Sequence, residues 1–246
     1  MIKKKLVILS GKGGVGKSSV AVNLASALAD EGYKVGILDV DLHGPNVPRM
    51  LGIVDQSLRA DENEMIIPAT VMENLKVVSI AFLIEEGKPL IWRGPLKHKL
   101  INDFVNKVNW GDLDFLVIDS PPGTGDELLS TFQLFKDIDG AILVTTPQQV
   151  SIDDVERAKG FVDAFKSKIL GIVLNMVYLV CPKCGERIEL FPRRIENLDL
   201  DILVELPMDP NFALMMDEGK PAVWYMRGSE LESKFRDLAG KVIEGL

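Results

Sequence analysis

The chain has 246 residues, with 28 Lys and Arg against 36 Asp and Glu for a formal net charge of −8, and 47% of its residues are hydrophobic. A chain of this length buries roughly 70–75% of its unfolded surface, so a core forms without disulfide staples. The acidic balance opposes a protein that coats nucleic acid, because neutralising phosphates takes an excess of Lys and Arg on one face. No uninterrupted apolar run approaches the ~18 residues that a membrane-spanning helix needs.

In chain order, Met1 to Lys5 are followed by Leu6-Val7-Ile8-Leu9, which superficially resembles the opening of a secretory signal. The apolar run is too short and meets Gly11-Lys12-Gly13-Gly14 at once, so it reads as a strand entering a loop, and the expected location is the cytoplasm. Further runs suited to buried parallel strands follow at Val35 to Leu38, Leu75 to Ile80, Phe115 to Ile118, Ala141 to Val144, Ile169 to Leu174 and Ile202 to Leu206. Between them lie apolar residues at helical spacing: Val20, Leu24, Ala27 and Leu28, then Leu96, Leu100, Phe104 and Val108, then Val155, Ala158, Val162 and Phe165. Gly32 is placed to cap the first of these helices, Ser151-x-x-Asp154 to open another, and a last helix is expected from about Glu230 to Glu244 with Leu231, Phe235, Leu238 and Val242 inward. The alternation predicts an α/β fold: one domain over residues 1–246, with a mostly parallel twisted sheet and helices on both faces. Two segments break the rhythm, a polar and irregular Asp55 to Thr70 and an insertion at about residues 178–195 that carries both cysteines.

Gly11-Lys12-Gly13-Gly14-Val15-Gly16-Lys17-Ser18 satisfies G-x-x-x-x-G-K-[ST] and sits between a strand and a helix. The glycines let successive N–H groups converge on phosphate oxygens, Lys17 is placed for the β and γ phosphates, and the Ser18 hydroxyl for Mg²⁺. Asp119 ends the Phe115 to Ile118 run and suits the metal's hydration shell, while Asp39 and Asp41 share one face of an extended segment. Pro121 to Asp126 is stiff with glycine pivots, as a loop with two defined positions requires. Cys181-x-x-Cys184 points to metal or redox chemistry. The two histidines, His43 and His98, read as loop or surface residues, and Trp92-Arg93 reads equally as a docking or a packing pair.

The early Lys12 resembles the deviant Walker A motif of the ATPases that include MinD, ParA and the nitrogenase iron protein. The stretches Asp39 to Gly52, Trp92-Arg93-Gly94-Pro95, Asp119 to Asp126 and Asn175 to Cys184 look, more narrowly, like the Mrp/ApbC iron–sulfur cluster carriers. That resemblance implies an ATPase with Lys12, Lys17 and Asp41 as catalytic residues, Lys12 reaching the partner's phosphates and Asp41 aiming the attacking water. It implies ATP contacts from Gly11, Lys12, Gly13, Gly14, Val15, Gly16, Lys17, Ser18 and Ser19, with Asn175 at the adenine edge and Asp209 closing the base pocket. Mg²⁺ falls to Ser18, Asp39 and Asp119. It further implies a homodimer whose Cys181 and Cys184 complete a four-thiolate [4Fe-4S] site across the axis, for delivery to apo iron–sulfur proteins. Zn²⁺ competes for the same thiols, since Cys-Pro-Lys-Cys-Gly is also the turn of a zinc knuckle, and the alternative is then a zinc-stapled, nucleotide-dependent dimer switch. One departure from the family pattern is Phe191-Pro192-Arg193-Arg194, where many members have glycines. A membrane-positioning relative would end in a basic amphipathic helix, whereas Glu230, Glu232, Asp237 and Glu244 occupy that segment, so neither membrane nor nucleic acid is expected as a partner.

Overall fold

A computed structural model describes residues 1–42, 44–83, 94–135, 137–192 and 199–246. His43, Trp92, Arg93 and the last two residues of the Phe191 to Arg194 departure, Arg193 and Arg194, lie outside the described residues. The elements run β1 (Ile2–Leu9), α1 (Lys17–Asp30), β2 (Val35–Asp39), α2 (Val47–Met50), β3 (Arg59–Ala60), β4 (Ile66–Ile67), β5 (Ala69–Met72) and β6 (Leu75–Ser79). They continue through α3 (Gly94–Asn106), β7 (Leu113–Asp119), α4 (Asp126–Leu134), β8 (Gly140–Thr145), α5 (Gln149–Ala164) and β9 (Ile169–Leu174). Last come β10 (Tyr178–Val180), β11 (Arg187–Glu189), β12 (Ile202–Glu205), α6 (Pro210–Asp217), α7 (Ala222–Tyr225) and α8 (Glu230–Gly245).

The main sheet has 8 strands in the order β12-β9-β8-β1-β7-β2-β6-β5, parallel throughout except for the antiparallel β5 at one edge. Both faces are covered, which is why its strands read as continuous apolar runs. Along β1, Leu6 and Ile8 enter the core shared with α1 and α8, whereas Val7 and Leu9 enter the opposite core with residues of α3, α4 and α5. The expected α/β architecture is therefore the observed one. Gly32 ends α1 as expected: at φ 93° it lets its own N–H reach the Ala29 carbonyl while Tyr33 N–H reaches that of Leu28. The last helix buries Leu231, Phe235, Leu238 and Val242.

Four local expectations change. β1 begins at Ile2, because Lys3 and Lys4 find Asp114 and Asp139 beside the sheet at 2.8 and 3.5 Å. Asp55 to Thr70 is less irregular than its polarity suggests, since β3 and β4 pair as a small sheet and β5 starts at Ala69. Helix α5 starts at Gln149, two residues before the Ser151 start signal. Leu96, expected inward, is 47% exposed. No helix among the described residues is long and apolar enough to cross a membrane.

Candidate functional site

In an open parallel sheet, ligands bind beyond the carboxyl ends of the strands where successive connections diverge. Here β1 is that point: its chain leaves through α1 toward β2 on one side, while β8, its other neighbour, leads to β9 and β12. The glycine loop leaves β1 there, and a cleft of about 440 Å³ opens over it, lined among others by Gly13, Gly14, Gly16, Lys17, Ser18, Ser19, Asp41 and Met176. Gly14 and Gly16 have φ of 79° and 90°. Gly16 is the N-cap of α1 and supplies no side-chain acceptor, so the first N–H groups of the helix keep their capacity for an anion. A Cβ on Gly16 would stand 2.2 Å from Asn175 Nδ2. Gly16→Ala is therefore expected to destabilise the nucleotide-free protein by about 1–3 kcal/mol through the left-handed backbone and the displaced amide. Chemical denaturation measures it; an unchanged midpoint would mean that the loop relaxes freely.

Two neighbouring strand ends bring the carboxylates together, β2 with Asp39 and, just beyond it, Asp41, and β7 with Asp119. Asp39 and Asp119 are Cα partners across β2 and β7, and both are fully buried. Lys17 Nζ lies 2.5 Å from Asp119 Oδ1 and 3.6 Å from Asp41 Oδ2. Burial works against the Lys17 ammonium, but Asp119, Asp41 and Asp39 outweigh it and raise its pKa above the ordinary lysine value. Burial and the neighbouring Asp119 charge push Asp39 up to about 8, against the pull of the Ser79 hydroxyl that donates to its Oδ2 at 2.8 Å. Asp119 is likewise raised, mainly by burial and despite Lys17. One cation among three acids leaves a net negative centre, suited to a second cation. Asp119 Oδ2 is buried without a well-formed hydrogen bond, and the Ser18 side chain interacts with the same carboxylate. An unspent carboxylate oxygen beside a hydroxyl is the all-oxygen donor set that Mg²⁺ takes, usually keeping several waters.

The remaining sequence-derived candidates separate. Lys12 Nζ contacts Gln148 Oε1 at 3.4 Å and has no acid partner among the described residues. The Pro121 to Asp126 stretch is tied to the loop's root, Gly123 N–H donating to the Ser10 carbonyl at 2.8 Å. Asn175 is spent on the chain itself: Nδ2 donates to the Val15 carbonyl at 2.9 Å and Oδ1 accepts from Met176 N–H. It braces the phosphate loop from behind, while the second Nδ2 hydrogen and the remaining Oδ1 lone pair are the groups that the adenine-edge contact expected from the sequence would use. Asp209 caps α6, accepting from Asn211 N–H at 2.8 Å, and lines a different cavity, beside the cysteine hairpin.

Cys181 and Cys184 lie in the turn of the antiparallel β10–β11 hairpin, which stands apart from the main sheet. Cys181 N–H donates to Glu186 and Gly185 N–H returns to Cys181, with Gly185 at φ 75° closing the turn. Hydrogen bonds from the backbone of Lys183 and Cys184, and from the Cys184 side chain, hold the Cys181 thiol below its ordinary pKa. Backbone bonds thus close the turn, and amides aimed at sulfur favour the Cys181 thiolate. Among the described residues no third Cys, His, Asp or Glu joins the pair.

Residues 1–243 match the family model described as ParA, NUBPL iron-transfer P-loop NTPase. The chain belongs to that family. It is 45% identical to an iron-sulfur cluster carrier protein of Saccharolobus solfataricus, over 99% of this chain and 84% of that protein. It is also 45% identical to a protein named cytosolic Fe-S cluster assembly factor NUBP2 homolog of Dictyostelium discoideum, over 89% of this chain and 86% of the other. Among solved structures, a nucleotide-binding protein of Archaeoglobus fulgidus in complex with ADP superposes with a TM-score of 0.78 at 37% identity, covering 89% and 87% of the two chains. The septum site-determining protein MinD of Pyrococcus horikoshii, complexed with Mg-ADP, gives 0.76 at 28% identity over 98% and 96%.

Within this NUBPL-type NTPase, sequence reasoning missed Ser79, which holds Asp39, and Ser10, whose hydroxyl is buried in the cleft wall without a partner. A usable signal was present. Apolar strands of the sheet end or are followed by a polar residue at the same carboxyl edge: Ser10, Asp39, Ser79, Asp119, Thr145 and Asn175. Only some of these match a motif, so only those drew attention.

Proposed function

We propose that this chain is an ATP-dependent iron–sulfur cluster carrier, a homodimer that holds a [4Fe-4S] cluster as cargo and passes it to apo iron–sulfur proteins. The observation that carries the reading is the backbone-closed Cys181–Cys184 thiol turn on a chain of an iron-transfer NTPase family. A cubane cluster takes four thiolates and one chain offers two, so two copies complete the set. The relatives' names support the cargo, and the cytosolic one supports the same compartment here.

In this reading ATP occupies the cleft over the glycine loop. Its phosphates draw Lys17 away from Asp119; Ser18 and the unspent Asp119 oxygen, backed by Asp39, would hold Mg²⁺, which would supply positive charge to offset that of the phosphates. Asp41 orients the water that attacks the γ-phosphorus as the bond to the ADP oxygen breaks. Lys12, held by no acid among the described residues, reaches the phosphates of the partner copy and stabilises the charge that develops there. Loss of the γ-phosphate then relaxes the Asp119 to Asp126 stretch, which Gly123 ties to the loop's root at Ser10.

The test is anaerobic reconstitution with iron and sulfide followed by metal analysis of the dimer. About four iron and four sulfide per dimer, with the absorbance of a cubane cluster, is expected. One zinc per dimer and no iron would replace the carrier by a zinc-stapled switch.

A further inference from the structure

The cysteine hairpin is held to the body in an unusual way. An isolated two-stranded hairpin is marginal in water, and this one buries little of itself: Val180 is 40% and Ile188 44% exposed. Among the described residues the backbone ties it at its root, where Val177 N–H meets Leu206, Met208 N–H meets Tyr178 and Leu190 N–H meets Val177. Tyr178 is the buried anchor, packed in the core that includes Val177 and Leu174, with its hydroxyl donating to Glu230 Oε1 at 2.5 Å in the first turn of α8. Burial and the Glu230 carboxylate raise its phenol pKa.

Beyond that anchor, Arg187 spans hairpin and body. Arg187, paired in register with Val180 just before the cysteines, folds back so that its guanidinium sits 3.6 Å from the Tyr178 ring centroid. From there it bonds Glu189 on its own strand at 2.9 Å and Glu205, at the end of β12, at 3.4 Å. Exposed ion pairs alone contribute little, but a guanidinium stacked on a buried ring and forked to two carboxylates fixes a plane as well as a position. Lys234 also faces the ring, at 5.8 Å, from α8.

We propose that Arg187 is a positioning residue for the cysteine pair: it sets the angle at which the Cys181–Cys184 turn leaves the body, and so the register in which two copies present their thiols to one cargo. The last clause rests on the carrier reading; the angle itself does not. Planarity is the working property, so lysine cannot substitute, although it keeps the charge.

The experiment uses the full chain as wild type, Arg187→Ala, Arg187→Lys and Glu205→Gln. Hydrogen exchange of the metal-free protein is followed over residues 178–190, and Co²⁺ bound to the thiols is followed by its thiolate absorption and its release to a chelator. Arg187→Ala is expected to speed hairpin exchange and Co²⁺ release about tenfold, with Arg187→Lys close to it and Glu205→Gln intermediate. ATP turnover per chain, measured without metal, stays at the wild-type level. Unchanged exchange in Arg187→Ala, or full rescue by lysine, overturns the proposal. A wild type that binds Co²⁺ but never assembles iron and sulfide would end the carrier reading, while the exchange data still decide the role of Arg187.

Discussion

Cys181→Ser/Cys184→Ser is expected to lose all reconstituted iron while binding and hydrolysing ATP within about twofold of wild type. A serine hydroxyl at neutral pH is neither ionised nor soft, so it replaces the cysteine's volume without its chemistry. The turn survives because its closing bonds, Cys181 N–H to Glu186 and Gly185 N–H to Cys181, are backbone bonds. The nucleotide cleft shares no lining residue with the turn. Iron quantification and ATP turnover on the same preparation read both halves of the prediction. Iron retained by the variant would place the cargo elsewhere and remove the basis of the proposed function.

Lys17→Ala is the second large effect, and it strikes stability and chemistry together. Lys17 is 6% exposed and is the cation of a centre that holds Asp39, Asp41 and Asp119. Removing one member of a buried pair leaves uncompensated charge, worth about 3–5 kcal/mol, and losing a donor aimed at developing charge costs about 10²–10³ in rate. The nucleotide-free variant should melt earlier, and ATP with Mg²⁺ should no longer raise its melting temperature. Lys17→Ala/Asp119→Asn separates the two effects: by relieving the stranded carboxylate it regains much of the stability but none of the turnover. An unchanged ATP-induced thermal shift in Lys17→Ala would refute the placement of the phosphates over this loop.

Most of the parallel sheet was legible because each strand buries both faces and so announces itself as a short apolar run, independent of its neighbours. The glycine loop was legible for a related reason: its chemistry depends on consecutive residues, and the strand before it and helix after it are local too. The cysteine turn shared that property. What escaped depends on partners distant in sequence. Nothing around Ser79 says that β6 will lie beside β2 and bring its hydroxyl to Asp39. The Asn175 amide finds the Val15 carbonyl across 160 positions. The short strands β3, β4 and β5 span only 2, 2 and 4 residues, too few for an alternating pattern to announce them before their neighbours pair with them. The cap that Asp209 gives α6 through Asn211 N–H is a local feature, and its place at the base pocket stays what the family resemblance implies.

Both margins of the main sheet are irregular. The pairing of β5 with β6 slips between Thr70 and Met72, and that of β12 with β9 slips between Ile202 and Val204. Slips of this kind twist a margin away from the straight ladder that a neighbouring molecule would need to continue it. Ribbon-like growth, one copy adding its strands to the next, is thereby discouraged at each end. The proposed homodimer is then left to form on surfaces other than these margins, such as the ends that carry the glycine loop and the two thiols. Margins that resist continuation suit copies that meet face to face, in a closed and countable assembly.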